Sequence, residues 1–292
     1  MRYLILPLFF SLHFSFVIDA QAPVFLKRAI SDILVQKSDI SGMSAQYKPI
    51  FGNEDDNSQA IKGIVRYGYL TIDSGGSSSI VNYDNEEQIY FILEGTGNLE
   101  YDKTNIPVAK NDFIYIPVGV KHGLSNPRER PLKAIIMGFK IPDRAKIKQT
   151  PRLMIANADE VPFQVLGQHG PTTLFQLLMG TTESKRDRLA AASQVNSLFI
   201  MDFATGGTNI PHRHEREEEI YFVLRGTGEM VAGETTDKKE ARFPAKEGDA
   251  FFFSPNTLIG FYSGTKEGEE HARILAVRSK IISASPPLSG PK

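Results

Sequence analysis

The chain has 292 residues, of which 41 % are hydrophobic and 10 % aromatic, enough to fill the cores of one large or two ordinary globular domains. Its 33 lysines and arginines nearly balance 34 aspartates and glutamates, which argues against binding to nucleic acid or to anionic lipid, because both need clustered positive charge. There is no cysteine, so disulfide frameworks, thiolate metal sites and cysteine nucleophiles are excluded.

The N-terminal segment differs in kind from the rest of the chain. One positive charge at Arg2 is followed by an apolar run over residues 3–18 and then by small Ala20. This pattern predicts a secretory signal peptide over residues 1–20, cleaved after Ala20. The run is too short and too interrupted to cross a hydrocarbon core of ~30 Å. We therefore expect a secreted or periplasmic protein with no membrane association after cleavage; an anchor that stays attached is the alternative.

The remaining chain contains one sequence unit twice. EEQIYFILEGTG over residues 86–97 returns 131 positions later as EEEIYFVLRGTG over residues 217–228, with nine of twelve positions identical. A period this long indicates a duplicated domain. We assign residues 21–145 to the first copy, 146–282 to the second, and 283–292, with three prolines and three serines, to a disordered tail.

Both copies consist of short runs rich in Ile, Val, Phe and Tyr, separated by turns that contain glycine or asparagine. Such runs predict many short antiparallel strands that close into a barrel or sandwich. Helical periodicity is weak, and the best helix candidates are Lys27–Val35 and Lys185–Ala192. Residues 142–194 are predicted to link the copies and to supply the leading strands of the second one.

Glycine, histidine, glutamate, proline and asparagine recur at fixed spacings. In the second copy these residues are Gly206, His212, His214, Glu219 and Gly226, and in the first they are Pro117, Gly119, His122 and Asn126, with Asn111 in front of them. The two sets resemble the motifs G-x5-H-x-H-x3,4-E-x6-G and G-x5-P-x-G-x2-H-x3-N of the cupin superfamily. The resemblance implies an all-β bicupin, two tandem jelly-roll barrels with few short helices. It does not fix the function, because this fold hosts many unrelated activities.

His212, His214 and Glu219 are the candidate metal ligands. Residues two apart on a strand face the same side, so both histidines can point into the barrel, and Glu219 can return on the neighbouring strand. Two imidazoles and one carboxylate can hold one divalent ion (Fe, Mn, Zn, Ni or Co) and leave positions open for water and substrate. Glu218 replaces Glu219 if the turn is one residue tighter. Alternatively, both histidines lie in a charged surface turn.

The third histidine of the family's metal site is missing, because Ile259 stands at its position. The site is therefore expected to have two histidines and one carboxylate, which suits oxygen chemistry or bidentate substrate binding, and which equally suits a site that has lost its metal. His169 or Gln176 could supply a fourth ligand, although no spacing supports either residue.

In the first copy, Val81, Tyr83 and Gln88 occupy the metal positions, and His122 stands alone. One imidazole without a carboxylate is a poor metal site, so no metal is expected there. Tyr83, Gln88 and His122 could line a polar pocket for a small organic molecule, or they form a hydrogen-bonded core cluster.

The leading hypothesis is an exported metal-dependent enzyme of dioxygenase, isomerase, lyase or hydrolase type. Its substrate would be a small oxygen-rich molecule, such as a sugar, a keto acid or a phenolic acid, with Glu218 or Tyr221 as a candidate base. A basic loop over residues 185–188 could bind an anionic substrate if it folds over the second barrel; otherwise it is solvated.

Two alternatives stay open. One is a non-catalytic small-molecule or sugar-binding or structural protein with a vestigial metal site. The other is an enzyme similar to ureidoglycine aminohydrolases, bicupins that also use metal only in the C-terminal barrel and lack the third histidine. The two copies can cover each other's exposed sheets within one chain, so a homodimer is possible but not required.

Overall fold

The computed structural model describes residues 24–53, 60–142, 150–167, 169–265 and 271–281. The predicted signal peptide and the predicted tail lie outside these ranges. The described part of the chain is almost entirely β-structure, with two short 3-10 helices at Ile30–Asp32 and Ala158–Glu160. Within these ranges no helix has the length and apolar character that crossing a membrane requires.

The strands follow the duplication seen in the sequence. The first copy contains β1 (Phe25–Ala29), β2 (Ala45–Gly52), β3 (Ile64–Ile72), β4 (Glu86–Glu94), β5 (Thr96–Tyr101), β6 (Thr104–Ala109), β7 (Asp112–Ile116), β8 (His122–Ser125) and β9 (Leu132–Lys140). The second copy contains β10 (Met154–Asn157), β11 (Thr173–Thr181), β12 (Leu189–Ala192), β13 (Val195–Phe203), β14 (Thr208–His212), β15 (Glu217–Arg225), β16 (Thr227–Glu234), β17 (Glu240–Lys246), β18 (Asp249–Phe253), β19 (Ile259–Ser263) and β20 (Arg273–Lys280).

Each barrel is built from a large and a small sheet whose strands are mainly antiparallel. In the first barrel the large sheet has the order β10-β7-β4-β9-β3-β2 and the small sheet the order β6-β5-β8. In the second barrel the orders are β1-β18-β15-β20-β13-β11-β12 and β14-β19-β16-β17. The all-β jelly-roll fold expected from the sequence is thus confirmed.

The large sheets are buried on both faces, because the two barrels pack against each other through them. Along β4, Tyr90 and Ile92 fill the first barrel, whereas Ile89 and Phe91 join a cluster that includes Phe252 of the second copy. This double burial explains why the strands read as continuous apolar runs and not as an alternation of apolar and polar residues. The two copies cover each other within one chain, as the sequence suggested.

The copies also exchange their leading strands. β1 pairs with β18 of the second copy, placing Phe25 opposite Phe253, and β10 pairs with β7 of the first copy, placing Met154 opposite Tyr115. The predicted division at residue 145 therefore separates the repeats but not the sheets, since each sheet takes its edge strand from the other repeat. Pairing with an edge strand shields a row of backbone groups that would otherwise be exposed.

Both predicted helices are wrong. Lys27–Val35 begins inside β1 and contains only the short turn Ile30–Asp32, and Lys185–Ala192 ends in β12. The backbone of each segment finds hydrogen-bond partners in a sheet, β1 on β18 and β12 on β11. Such tertiary pairing overrides weak local helix propensity.

Candidate metal centre

The candidate ligands converge inside the second barrel. His212 ends β14, His214 lies two residues further on, in the loop before β15, and Glu219 lies on β15. Because side chains alternate along a strand, Glu219 faces the barrel interior whereas Glu218 faces the first copy. His212 lies opposite Ile259 in the β14–β19 pair, and Glu219 lies opposite Arg278 in the β15–β20 pair.

The spacing of the donor atoms fits one metal ion. One donor atom from each of His212, His214 and Glu219 lies within 4.8 Å of the others. The two Nε2 atoms are 3.1 Å apart, and Nε2 of His214 is 3.4 Å from Oε2 of Glu219. Ligands that stand about 2.1 Å from a metal ion at angles between octahedral and tetrahedral are roughly 3.0–3.4 Å from each other. The residues present therefore fit a divalent cation.

The charge states of the three residues also favour a divalent cation. Burial, helped by Arg278, lowers the pKa of His214 to about 4, and burial also lowers the pKa of His212. Neutral imidazoles can bind metal. Nδ1 of His212 lies 2.9 Å from the carbonyl oxygen of Ile210, a contact that directs Nε2 towards the site. Burial raises the pKa of Glu219 to about 8, and its Oε2 makes no hydrogen bond with the protein. A cation at this carboxylate would favour its ionised form.

The ligands open into a cavity of about 330 Å³. Its polar wall holds the metal ligands with Asn209, Tyr221 and Arg278, and its apolar wall holds Phe175, Leu177, Phe199 and Met201. A volume near the lower end of the range for ligand pockets admits a small molecule.

The two candidate bases have different outcomes. Glu218 is outside the pocket, because its carboxylate accepts hydrogen bonds from the backbone N–H groups of Lys62 and Gly63 in the first copy. Neither a role as base nor one as replacement ligand is compatible with that position. Tyr221 does line the pocket, and its hydroxyl oxygen accepts a hydrogen bond from Asn209 at 3.0 Å. Burial raises the pKa of Tyr221 well above 10, so the tyrosine presents a neutral O–H donor.

The two residues considered as a fourth ligand also separate. His169 lines the pocket, with its ring centroid 5.3 Å from that of His212, although it lies outside the group of three donor atoms. Gln176 is held elsewhere: its side-chain N–H groups bond to the carbonyl oxygens of Ala158 and Val161, and its oxygen accepts from Arg273. The position of the missing histidine is filled by Ile259, which is 1 % exposed and belongs to the apolar core of the barrel.

In the first barrel the corresponding residues form a compact polar cluster. The His122 ring makes edge contacts with Tyr83 and Tyr90, at centroid distances of 5.8 and 5.6 Å, and its Nδ1 lies 2.8 Å from the carbonyl oxygen of Val120. Gln88 donates to Glu86 at 2.9 Å. Ligand binding by Tyr83, Gln88 and His122 stays a prediction.

Sequence reasoning missed one part of the site. Arg278 and Asn209 belong to the pocket, yet neither is part of a repeated motif. The register of β15 with β20 brings Arg278 in, and only the strand pairing shows it. Arg186 of the predicted basic loop also lines the pocket, whereas Lys185 and Arg188 do not.

Comparisons with known proteins agree with this architecture. Residues 68–138 and 199–278 match the Cupin_2 family, described as "Cupin domain". Among curated proteins, germin-like protein subfamily 2 member 1 of Arabidopsis thaliana is 40 % identical over 80 residues, which cover 27 % of this chain and 35 % of the relative. The chain thus spans only about a third of the length of such relatives.

Solved structures show the same fold over most of the chain. A putative glyoxylate induced protein from Pseudomonas aeruginosa superposes with a TM-score of 0.70 at 13 % identity, covering 91 % of this chain and 92 % of the other. The bacterial pirin YhhW of Escherichia coli, in complex with nickel(II), superposes with a TM-score of 0.63 at 12 % identity, covering 89 % of this chain and all of the other. With two matched domains that together span half of its length, the chain belongs to the cupin family.

Proposed function

We propose that the chain is a metal-dependent enzyme whose second barrel holds one divalent first-row ion on His212, His214 and Glu219. The observation that carries the proposal is the meeting of three donor atoms at ligand spacing, one of them a buried carboxylate oxygen that makes no hydrogen bond with the protein. When bound, the ion supplies Lewis acidity that polarises a carbonyl or stabilises an enolate. The nickel(II) complex of the bacterial pirin, which has the same fold, supports a metal at this kind of site.

The protein side of the pocket is suited to a small oxygen-rich molecule such as a sugar, a keto acid or a phenolic acid. Tyr221 is oriented by Asn209 and can donate its proton to a substrate oxygen. The apolar wall, which includes Phe175 and Phe199, limits the space for water beside the reacting atoms. The identity of the bound metal determines which of the four reaction types should be assayed first: dioxygenation, isomerisation, elimination or hydrolysis.

A non-catalytic binding protein is the second candidate, and two observations favour it. Ile259 replaces a possible ligand, and Nη1 of Arg278 lies 3.3 Å from Nε2 of His214, where its positive charge opposes a metal cation. The similarity in layout to ureidoglycine aminohydrolases stays a prediction from the sequence.

Metal retention tests the proposal. The protein is purified without chelator and without an immobilised-nickel column, and its metal content is measured by elemental analysis alongside a His212→Ala/His214→Ala variant. The matched control is His271→Ala, because His271 is exposed and outside the pocket. We expect near-stoichiometric metal in the parent and the control and none in the double variant. Protein that contains no metal and refuses added Fe(II), Mn(II) and Zn(II) would overturn the proposal.

We also propose that the protein is exported. Cleavage after Ala20 would leave β1, which starts at Phe25, intact on β18. Mass spectrometry of the protein from its native source would show a mature N-terminus at Gln21 in the exported fraction; a full-length chain retained in the cytosol would contradict this.

A further inference from the structure

We propose that the ligand of the second barrel is a small carboxylate with an apolar body, and that Arg278 binds its carboxylate group. The inference rests on the proposed metal site and adds the chemical class of the substrate. It is carried by the placement of two arginines around a cavity that has an apolar wall besides the candidate metal ligands.

A divalent ion bound in the cavity would leave it with an excess of positive charge. Arg278 and Arg186 both line it, and Glu219 is the one carboxylate among the lining residues. Two carboxylates outside the lining pair with these arginines: Glu217 with Nε of Arg278 at 3.2 Å, and Asp187 with Nε of Arg186 at 3.2 Å. Without an ion the arginines are therefore already matched by carboxylates. A divalent ion on Glu219 adds further positive charge in the same space. An anionic ligand that contacts both the ion and Arg278 balances this excess, and guanidinium–carboxylate pairs have the geometry for two parallel hydrogen bonds.

The first barrel provides an internal comparison. Arg66 on β3 also points towards the polar cluster of its barrel, stacking on Tyr83 with 4.3 Å between guanidinium carbon and ring centroid. Two carboxylates already neutralise it: Asp39 at 2.9 Å and Glu86 at 3.5 Å. The barrel without metal ligands thus matches its arginine with its own acidic residues. In the barrel with the candidate metal ligands, Arg278 forms an ion pair with Glu217 and lies opposite Glu219. A metal ion on Glu219 would leave Arg278 with Glu217 alone, so that an anionic ligand can serve as its second partner.

Arg186 is placed to close the same pocket from the loop between β11 and β12. Its Nη2 donates to Oγ of Ser197 at 3.0 Å, and its Nε pairs with the buried carboxylate of Asp187 at 3.2 Å. These contacts hold the guanidinium over the β13 wall while the side chain remains 47 % exposed. An arginine held in the wall of the cavity adds to the attraction for an anion, although its ion pair with Asp187 reduces this effect.

The apolar wall determines the body of the ligand. Phe175, Leu177, Phe199 and Met201 line the same cavity as the arginines, and its volume of about 330 Å³ has room for a ring or a short branched chain beside the carboxylate. Flat or branched apolar groups gain from contact with these side chains, whereas a second charge would lose its hydration without a partner. The pocket therefore favours a carboxylate whose body is apolar.

Calorimetric titration tests the inference with benzoate and its neutral isostere benzamide as probes, on zinc-loaded and on metal-free protein. We expect benzoate to bind at least about tenfold more tightly than benzamide, since a charge-assisted pair is lost in the amide. Arg278→Gln should weaken benzoate binding by about tenfold or more and leave benzamide binding unchanged, and Arg278→Lys should restore part of the loss.

Two further variants guard against misfolding. Arg186→Gln, a change at a half-exposed residue, should weaken benzoate binding by a smaller factor, and Arg242→Gln on the outer surface of β17 should have no effect. Equal affinity for the two probes, no binding of benzoate up to about 10 mM, or an Arg278→Gln variant that binds benzoate like the parent would overturn the inference.

The titrations on zinc-loaded and on metal-free protein distinguish a failure of this inference from a failure of the metal proposal. If the protein binds zinc but does not discriminate between benzoate and benzamide, the metal proposal stands and the proposal of a carboxylate ligand is rejected. If the protein takes up no metal but binds benzoate through Arg278, the proposal of a carboxylate ligand stands and the proposal of a metal-dependent enzyme is rejected. The non-catalytic alternative would then remain.

Discussion

Glu87 and Glu218 are equivalent residues of the two repeats, 131 positions apart, and each is hydrogen-bonded to the backbone of the other repeat. Glu87 accepts from the N–H groups of residues 193–194 at 2.8 and 2.7 Å, and Glu218 accepts from those of residues 62–63. The backbone segments are themselves 131 residues apart. The duplication has thus produced a reciprocal pair of carboxylate contacts that fasten the two barrels together.

Breaking one of these contacts should cost stability and leave the metal site intact. In Glu218→Gln an amide N–H group would face two backbone N–H groups, so we expect the free energy of unfolding to fall by about 1–3 kcal/mol. Urea denaturation of Glu218→Gln and Glu87→Gln measures the effect, with the half-exposed Glu94→Gln as control. Unchanged stability would contradict the structural role, and loss of zinc binding would return Glu218 to the site.

A histidine at position 259 should strengthen metal binding. Ile259 lies opposite His212 in the second barrel, and the equivalent pair in the first barrel is His122 opposite Val81. The fold therefore accepts an imidazole at the position of Ile259. With a fourth protein ligand, we expect the dissociation constant for zinc to fall by about tenfold or more in Ile259→His. Competition titration against a zinc chelator measures the change, and Ile259→Leu is the control. An unchanged constant would mean that the metal lies away from β19.

His122 should make the metal-free protein less stable in acid. Burial lowers the pKa of His122 below its usual value of 6.5, so below about pH 6.5 the unfolded chain takes up a proton that the folded chain does not. This contribution to stability is present above pH 6.5 and is lost as pH falls towards the lowered pKa of the folded state. In His122→Asn the loss should be absent.

Thermal unfolding in EDTA at pH 7.5 and pH 5 tests this sign. The stability difference between parent and His122→Asn should shift in favour of the variant at the lower pH. A difference that is the same at both pH values would show that His122 is protonated alike in the folded and unfolded chain.

Removal of β1 should damage the second barrel, although β1 belongs to the first repeat. A chain that starts at Ser31 lacks the strand that covers β18, and therefore exposes the edge of a strand whose five residues are all buried. We expect the midpoint of thermal unfolding to fall by about 5–10 °C, with aggregation on heating. A chain that starts at Val24 keeps the strand and is the control; equal midpoints for the two chains would contradict the exchange.

Much of the fold could be predicted from the sequence because the same sequence pattern occurs twice. Two copies of one pattern predicted two similar barrels, and period-two spacing placed His212 and His214 on one face with Glu219 nearby. The two helices at Lys27–Val35 and Lys185–Ala192 were predicted wrongly, since local propensity is weak evidence for a segment that pairs with a distant strand.

The sequence by itself determined the duplication, the all-β class and the three candidate metal ligands, because strand spacing fixes which face a residue occupies. Tertiary structure decided the rest. It assigned β1 and β10 to the opposite repeat's sheets, turned Glu218 from a candidate base into an inter-barrel contact, and brought Arg278 and Arg186 to one cavity. Those outcomes depend on which distant strands pair and in what register, and local spacing carries no record of that pairing.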